Sequence, residues 1–295
     1  GDAHKNHAAN GLPRGTVGEV MKIAVSGKGG VGKTTITAWL GDYLARMGHQ
    51  VWLVDADTAL SLGQASGLDA QAMPVALAQR PELVRERIRP AGQGGMMVLN
   101  PHVEDLPEIL SAELPVAGPS LGQWPVGRKR LLVMGALTTA NGGCACEASA
   151  LLKAMLAHLV LERNDWVLVD MEAGVEHLGR GTVAHVDRLL VVSEPSLRSL
   201  QTAVQVSRMA ADLGLQKQSL VLNRTVGAEM CIIPPELQLP DHRMALPLVP
   251  QLRHRQLLTT SVLGLDGTDQ KMLDRFFRCL LEQWNQDCCT EKACA

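Results

Sequence analysis

The segment KIAVSGKGGVGKTT, residues 22–35, restricts the possible folds of this chain more than any other stretch. An apolar run over 22–27 leads into a glycine-rich turn, and a stretch of helical period over 33–47 follows, so the order is strand, loop, helix. The turn satisfies the spacing G-x-x-x-x-G-K-[ST], in which glycines let the backbone curl until successive N–H groups face one point. The N-terminus of the following helix adds its partial positive charge there, and the two together suit the phosphates of a nucleotide. On this reading Gly29, Gly30, Val31, Gly32, Lys33, Thr34 and Thr35 bind the nucleotide. Lys33 reaches the β- and γ-phosphates, and the Thr34 hydroxyl ligates Mg²⁺.

Further apolar runs recur along the chain: VWLVDAD (51–57), MMVLN (96–100), LLVMG (131–135), WVLVDME (166–172), RLLVVSE (188–194) and SLVLN (219–223). Most are continuous rather than alternating, the pattern of parallel strands covered on both faces. Helical periods at 33–47, 148–163, 197–213 and 269–286 lie among them. Strands alternating with helices predict an α/β fold, a doubly wound and mostly parallel sheet flanked by helices. Residues 101–130, rich in proline and glycine, are expected to form a long loop or lid. With no internal repeat and no dividing linker, 21–286 is expected to be one domain. Residues 1–20 are then an extension and 287–295 a cysteine-bearing tail. The last helical stretch places Met272, Leu273, Phe276, Phe277, Leu280 and Trp284 on one stripe opposite a face of mixed charge, so it should pack on the sheet rather than on a membrane.

Charge sets further limits. A formal net charge of −2 leaves no electrostatic footprint for nucleic acid, and no run is apolar and long enough to span a bilayer. The first twenty residues lack the apolar core of a secretory signal. Seven cysteines, an odd number spread unevenly through 295 residues, do not form a disulfide framework, so a reducing cytoplasm is the expected compartment.

Two acidic strand ends complete the expected nucleotide site. Asp55 and Asp57 close the run at 51–57, while Asp170 and Glu172 close the run at 166–172. In open α/β sheets ligands sit beyond the carboxyl ends of the strands, so these side chains should converge on the glycine-rich loop. The guanine-reading sequence N-K-x-D is absent, whereas Asn223 ends a strand with an amide able to pair with both a donor and an acceptor on adenine.

The sequence GKGGVGKTT resembles the deviant Walker A loop of the MinD/ParA/nitrogenase-iron-protein group of ATPases. That resemblance implies the P-loop fold of this type and a homodimer that closes around ATP, with Lys28 reaching the partner's nucleotide. It implies that Lys28, Lys33 and Asp57 form the catalytic set, with Asp57 orienting the attacking water. Asp55 then lies near the Mg²⁺ shell, Asp170 holds Mg²⁺ through water, and Asn223 with Arg224 contacts adenine.

A more specific resemblance lies in GGCACEASALLKAMLAHLVLERNDWVLVDMEAGVEHLGRGT (142–182), supported by MKIAVSGKGGVGKTT at 21–35 and EPSLRSLQTAVQV at 194–206. These segments are similar to the CooC family, nickel-handling ATPases that mature the nickel–iron–sulfur cluster of carbon monoxide dehydrogenase. The resemblance implies an ATP-hydrolysing metallochaperone whose partner is nickel-free carbon monoxide dehydrogenase, with no nucleic acid or membrane partner. If Cys144 and Cys146 are extended, residues i and i+2 present both sulfurs on one surface. Two chains related by a two-fold axis would then offer four thiolates, suited to tetrahedral Zn²⁺ or square-planar Ni²⁺. The helical stretch from 148 runs directly into the Asp170 strand, which would let nucleotide state move the cysteine pair. Three alternatives stay open on the sequence: a maturation ATPase for acetyl-CoA synthase, a MinD/ParA-like positioning protein, and an iron–sulfur electron-transfer ATPase. The positioning protein calls for a basic membrane helix or DNA patch, and the electron-transfer ATPase has its ligand cysteines far apart, unlike Cys144 and Cys146.

Overall fold

The computed structural model describes residues 20–57, 59–92, 94, 96–134, 145–162, 165–172, 174, 183 and 185–293. In chain order it runs β1 (Lys22–Gly27), α1 (Lys33–Arg46), β2 (Gln50–Ala56), α2 (Leu62–Ala65), α3 (Pro81–Ile88), α4 (Leu106–Leu110), β3 (Ala112–Leu114) and β4 (Arg128–Val133). It continues α5 (Ala145–Glu162), β5 (Trp166–Met171), β6 (Arg188–Ser193), α6 (Leu197–Asp212), β7 (Gln218–Thr225), β8 (His242–Pro247), α7 (Pro250–Arg255) and α8 (Gly267–Ala293). All eight strands join one sheet in the order β3-β4-β2-β5-β1-β6-β7-β8. Every neighbouring pair is parallel except β3 with β4. The doubly wound α/β architecture expected from the strand–helix alternation is the one observed.

Buried strands explain the continuous apolar runs: β1, β5 and β6 are inaccessible along their whole length. Successive strand residues point to opposite faces, so each run supplies two cores. Ile23, Leu53, Leu168 and Leu190 face α1 and α8, while Ala24, Val54, Val169 and Val191 face α3, α5 and α6. The stripe on α8 packs as expected, with Leu273, Phe277, Leu280 and Trp284 all buried. Trp284 ties this helix to the sheet twice. Its Nε1 donates to Ser219 Oγ at 2.9 Å, and its carbonyl accepts from the buried Arg188 guanidinium at 3.0 Å. A buried ionic cluster joins α1 to β4, where Lys129 Nζ donates to Asp42 Oδ1 at 2.7 Å and Arg46 lies against both Asp42 and Asp274.

Several boundaries differ from the sequence expectation. MMVLN at 96–100 is not a strand: Met96 is 72% and Leu99 94% exposed, and Val98 N donates to Ile88 O instead of joining the sheet. The edge beside β4 is taken by Ala112–Leu114, from within the stretch expected to be loop, which also contains α4 and the start of β4. β8 lies on the opposite edge, where its alternating burial lacks the continuous apolar signal. The last helix does not stop at residue 286 but continues to Ala293, so its backbone carries Cys288 and Cys289. Residues 1–19 of the expected extension lie outside the described residues.

Candidate nucleotide site and the cysteine helix

The glycine-rich loop leaves β1 at the centre of the sheet, between β5 and β6. Gly27 is required by close approach, because a Cβ there would stand 2.1 Å from the Val192 carbonyl oxygen. Gly32 enters α1 with φ +100°, and its Cβ would meet Asn223 Nδ2 at 2.4 Å. These two contacts bring the loop down onto the ends of β6 and β7. Asn223 Nδ2 donates to Val31 O at 2.8 Å, and Arg224 donates from its guanidinium to Gly30 O at 2.9 Å. The strand pairing shifts register between Asn223 and Thr225, and Arg224 adopts φ +61°, so a local irregularity aims this side chain back over the loop. Glu194, at the end of β6, lies 3.6 Å from the same guanidinium. Asn223 Oδ1 accepts from Arg224 N at 2.9 Å, so both ends of the amide expected to read adenine are engaged within the protein.

Lys33 is buried in the first turn of α1 and donates from Nζ to the Lys28 carbonyl at 3.2 Å. The side chain thus folds back over its own loop. Lys28 itself is half-buried on the outer limb of that loop.

Two carboxylates converge as expected. Asp55 on β2 and Asp170 on β5 are register partners on adjacent strands, and both are fully buried. Asp55 accepts at Oδ1 from Asp57 N at 3.3 Å and at Oδ2 from Leu62 N at 3.0 Å. Burial pushes its carboxyl up to about 6, against the downward pull of those two N–H donors. Thr34 Oγ1 donates to Asp170 Oδ2 at 2.5 Å. Burial raises Asp170 to about 7, opposed by the Thr34 hydroxyl and reinforced by the nearby Asp55. Among the described residues Asp170 Oδ1 is buried with no hydrogen-bond partner. An orphaned carboxylate oxygen beside a threonine hydroxyl and a second carboxylate is a hard-oxygen donor set, and it fits Mg²⁺. Among the described residues no cluster of three His, Cys, Asp or Glu side chains forms a self-sufficient metal cage. Mg²⁺ does not require one, since phosphate oxygens and water complete its shell.

Asp57 is half-buried just beyond β2, with Oδ1 accepting from Ala59 N at 2.9 Å. The Glu172 carbonyl accepts from Ser26 Oγ, at the end of β1, at 2.9 Å. Ser26 Oγ in turn accepts from Gly174 N at 3.0 Å, which fastens the chain after β5 to the base of the loop. Neither Ser26 nor Glu194 stood out in the sequence. A lone serine or glutamate at a strand end carries no spacing signal.

Cys146 differs from expectation. Helix α5 begins at Ala145, so the backbone of Cys146 is helical rather than extended, and Cys144 lies outside the described residues. Glu147, in the first turn of α5, accepts from Arg89 Nε at the end of α3.

Residues 22–230 match the model of the CobQ/CobB/MinD/ParA nucleotide-binding domain. The chain is 41% identical over 207 residues to the carbon monoxide dehydrogenase accessory protein CooC of Rhodospirillum rubrum, covering 69% of this chain and 74% of that protein. The chain belongs to the MinD/ParA nucleotide-binding family, in its CooC branch. An uncharacterized ATP-binding protein of Methanocaldococcus jannaschii is 38% identical over 206 residues, 69% of this chain and 75% of its own length. Among solved structures, a ParA family ATPase from Chlorobium tepidum superposes with a TM-score of 0.61 at 18% identity, covering 89% of this chain and 98% of that one, which shows the shared fold. Membership of this family supports an ATPase. No described helix is long and apolar enough to cross a membrane.

Proposed function

We propose that this protein is an ATP-hydrolysing nickel chaperone that dimerises around ATP and assists nickel insertion into carbon monoxide dehydrogenase. The observation that carries the reading is the 41% identity to the Rhodospirillum rubrum accessory protein, in a chain that has Cys144 just ahead of the helix leading to Asp170 and Cys146 in the first turn of that helix. Nickel is cargo in this scheme and Cys144 and Cys146 are its ligands, with two chains supplying four thiolates.

Phosphoryl transfer depends mostly on positioning and charge. ATP entering the loop displaces the Lys33 Nζ contact with the Lys28 carbonyl and takes that ammonium onto its β- and γ-phosphates. Thr34, Asp170 and Asp55 would hold Mg²⁺, which would supply neutralisation of the phosphate oxygens. Asp57 orients the attacking water. Lys28, on the outer limb of the loop, serves the nucleotide of the partner chain. The Asn223–Arg224 pair lies at the loop's edge, and contact with adenine exchanges its present bonds to Val31 and Gly30 for bonds to the base.

The test is reconstitution. This protein, Ni²⁺ and ATP are added separately to nickel-free carbon monoxide dehydrogenase and to nickel-free acetyl-CoA synthase. ATP-dependent activation of the first is expected. Activation of the second alone reassigns the target, and activation of neither removes the chaperone reading.

A further inference from the structure

We infer that Arg89 is a positioning residue that couples the cysteine-bearing end of α5 to the state of the nucleotide site. This rests on the reading above, in which Cys146 is a metal ligand.

The helix that carries Cys146 is tied to the nucleotide site at both ends. Its C-terminal end leads within a few residues into β5 and Asp170. Its N-terminal end is held by the Arg89–Glu147 ion pair, in which Glu147 is the residue after Cys146. Arg89 directly follows α3, and its backbone N–H closes that helix by donating to Arg85 O at 2.7 Å. α3 itself packs on α5, with Val84 and Ile88 in the same buried cluster as Leu151 and Met155. Val54 and Val169, the residues before Asp55 and Asp170, lie in this same buried cluster. A change at Asp55 or Asp170 as Mg²⁺ and nucleotide arrive therefore has a packed route through β2, β5 and α3 to Arg89 and Glu147.

Charge gives the pair a second role. A dimer that gathers four thiolates also gathers two Glu147 carboxylates close to them. Six negative charges around one divalent cation repel one another, and a guanidinium on each Glu147 offsets two of them. Glu147 is mostly covered, at 13% side-chain exposure, whereas Arg89 is 42% exposed, so Arg89 can change partner without opening the core. The pair thus fixes both where the cysteine end of α5 sits and what field it feels.

The experiment uses the full chain with Zn²⁺ as probe, and its affinity is measured with ADP and with a non-hydrolysable ATP analogue. Backbone hydrogen exchange over residues 145–150 is followed in the same two states. In the parent, Zn²⁺ binding and protection of 145–150 should both change with nucleotide. Arg89→Ala should bind nucleotide like the parent yet shrink the nucleotide-dependent ratio of Zn²⁺ affinities about fivefold or more, the scale of an ordinary coupling energy. Arg89→Lys should fall between them. The exchanged pair Arg89→Glu with Glu147→Arg should regain part of the ratio, a rescue that simple loss of packing does not give. An Arg89→Ala chain that keeps the parent ratio overturns the inference while leaving the metal site standing. If the parent binds no Zn²⁺ through Cys144 and Cys146, the functional reading fails instead, and hydrogen exchange decides the coupling alone. Loss of nucleotide-dependent protection in Arg89→Ala then supports it, and unchanged protection overturns it.

Discussion

Asp55 and Asp170 are register partners on the adjacent parallel strands β2 and β5, both fully buried, and Asp170 Oδ1 has no hydrogen-bond partner among the described residues. Parallel pairing forces the two carboxyls to the same edge of the sheet, where β1 delivers the P-loop. Two like charges removed from water destabilise the empty protein, and a cation delivered with nucleotide relieves that destabilisation. The site therefore favours occupancy at the expense of the metal-free fold.

Metal-free stability should depend on pH with a definite sign. Asp170 is raised to about 7 and Asp55 to about 6 in the folded chain, against an ordinary aspartate value of 3.8. Between those limits the folded state holds more protons than the unfolded one, so this contribution to stability is lost as pH rises through about 6 to 7. In chelator, Asp170→Asn should be more stable than the parent at pH 8 by on the order of 1 kcal/mol, and the advantage should shrink by pH 5. Thermal melts at the two pH values measure this. A variant less stable than the parent at pH 8 would show that Asp170 carries no stored repulsion.

Replacing Lys33 or Asp57 by alanine should abolish ATP hydrolysis for different reasons. Lys33→Ala should also bind ATP poorly, since it removes the ammonium that meets the β- and γ-phosphates. Asp57→Ala should still bind ATP, because its proposed partner is water. Calorimetric binding beside steady-state turnover separates the two, and full turnover in either variant removes that residue from the catalytic set.

The strand–loop–helix around Gly27–Thr35 and the continuous runs of β2, β5 and β6 were legible because parallel buried strands and phosphate loops impose strong local chemistry. Asp55 and Asp170 were legible as strand ends, though their direct pairing requires β5 to lie beside β2, a long-range fact. The edges were not. MMVLN has a strand's composition, but it follows a glycine-rich turn and stays in solvent, whereas β3 and β8 are half-exposed strands defined by their neighbours. The helical backbone of Cys146 was illegible for a related reason. A Cys-x-Cys looks extended in isolation, but the Ala- and Leu-rich stretch after it propagates helix back to Ala145.

The buried pair of Lys129 and Asp42 supplies a stability prediction. Lys129 is inaccessible, and desolvation lowers its ammonium while Asp42 opposes that shift. Lys129→Met leaves Asp42 facing Arg46 and the Ala117 amide without its third donor. The expected loss is about 3 kcal/mol, the scale for removing one partner of a buried ion pair. Urea denaturation tests this, and a loss below about 1 kcal/mol would mean that Arg46 and the Ala117 amide together satisfy Asp42.

Lys28→Ala should keep ADP binding and lose ATP-dependent dimerisation, because the proposed target of Lys28 is the nucleotide of the partner chain. Sedimentation with a non-hydrolysable analogue gives the answer. A variant that dimerises like the parent removes the trans-acting role.

Cys144 and Cys146 should together bind one divalent metal per two chains, since each chain supplies two thiolates and four close a shell. Binding requires the thiols to ionise, so apparent affinity should fall as pH drops, and protons should be released on loading. The confounder is Cys288 and Cys289, which α8 carries beyond the buried Trp284, together with Cys294. The decisive sample is therefore a chain ending before Cys288, which keeps the packed stripe of α8 through Trp284. Retention of one Ni²⁺ or Zn²⁺ per dimer in that chain, and its loss on Cys144→Ser or Cys146→Ser with nucleotide binding intact, would establish a bridging site. One metal per monomer would instead place the ion within a single chain, and binding that disappears with the C-terminal cysteines would move it to the end of α8.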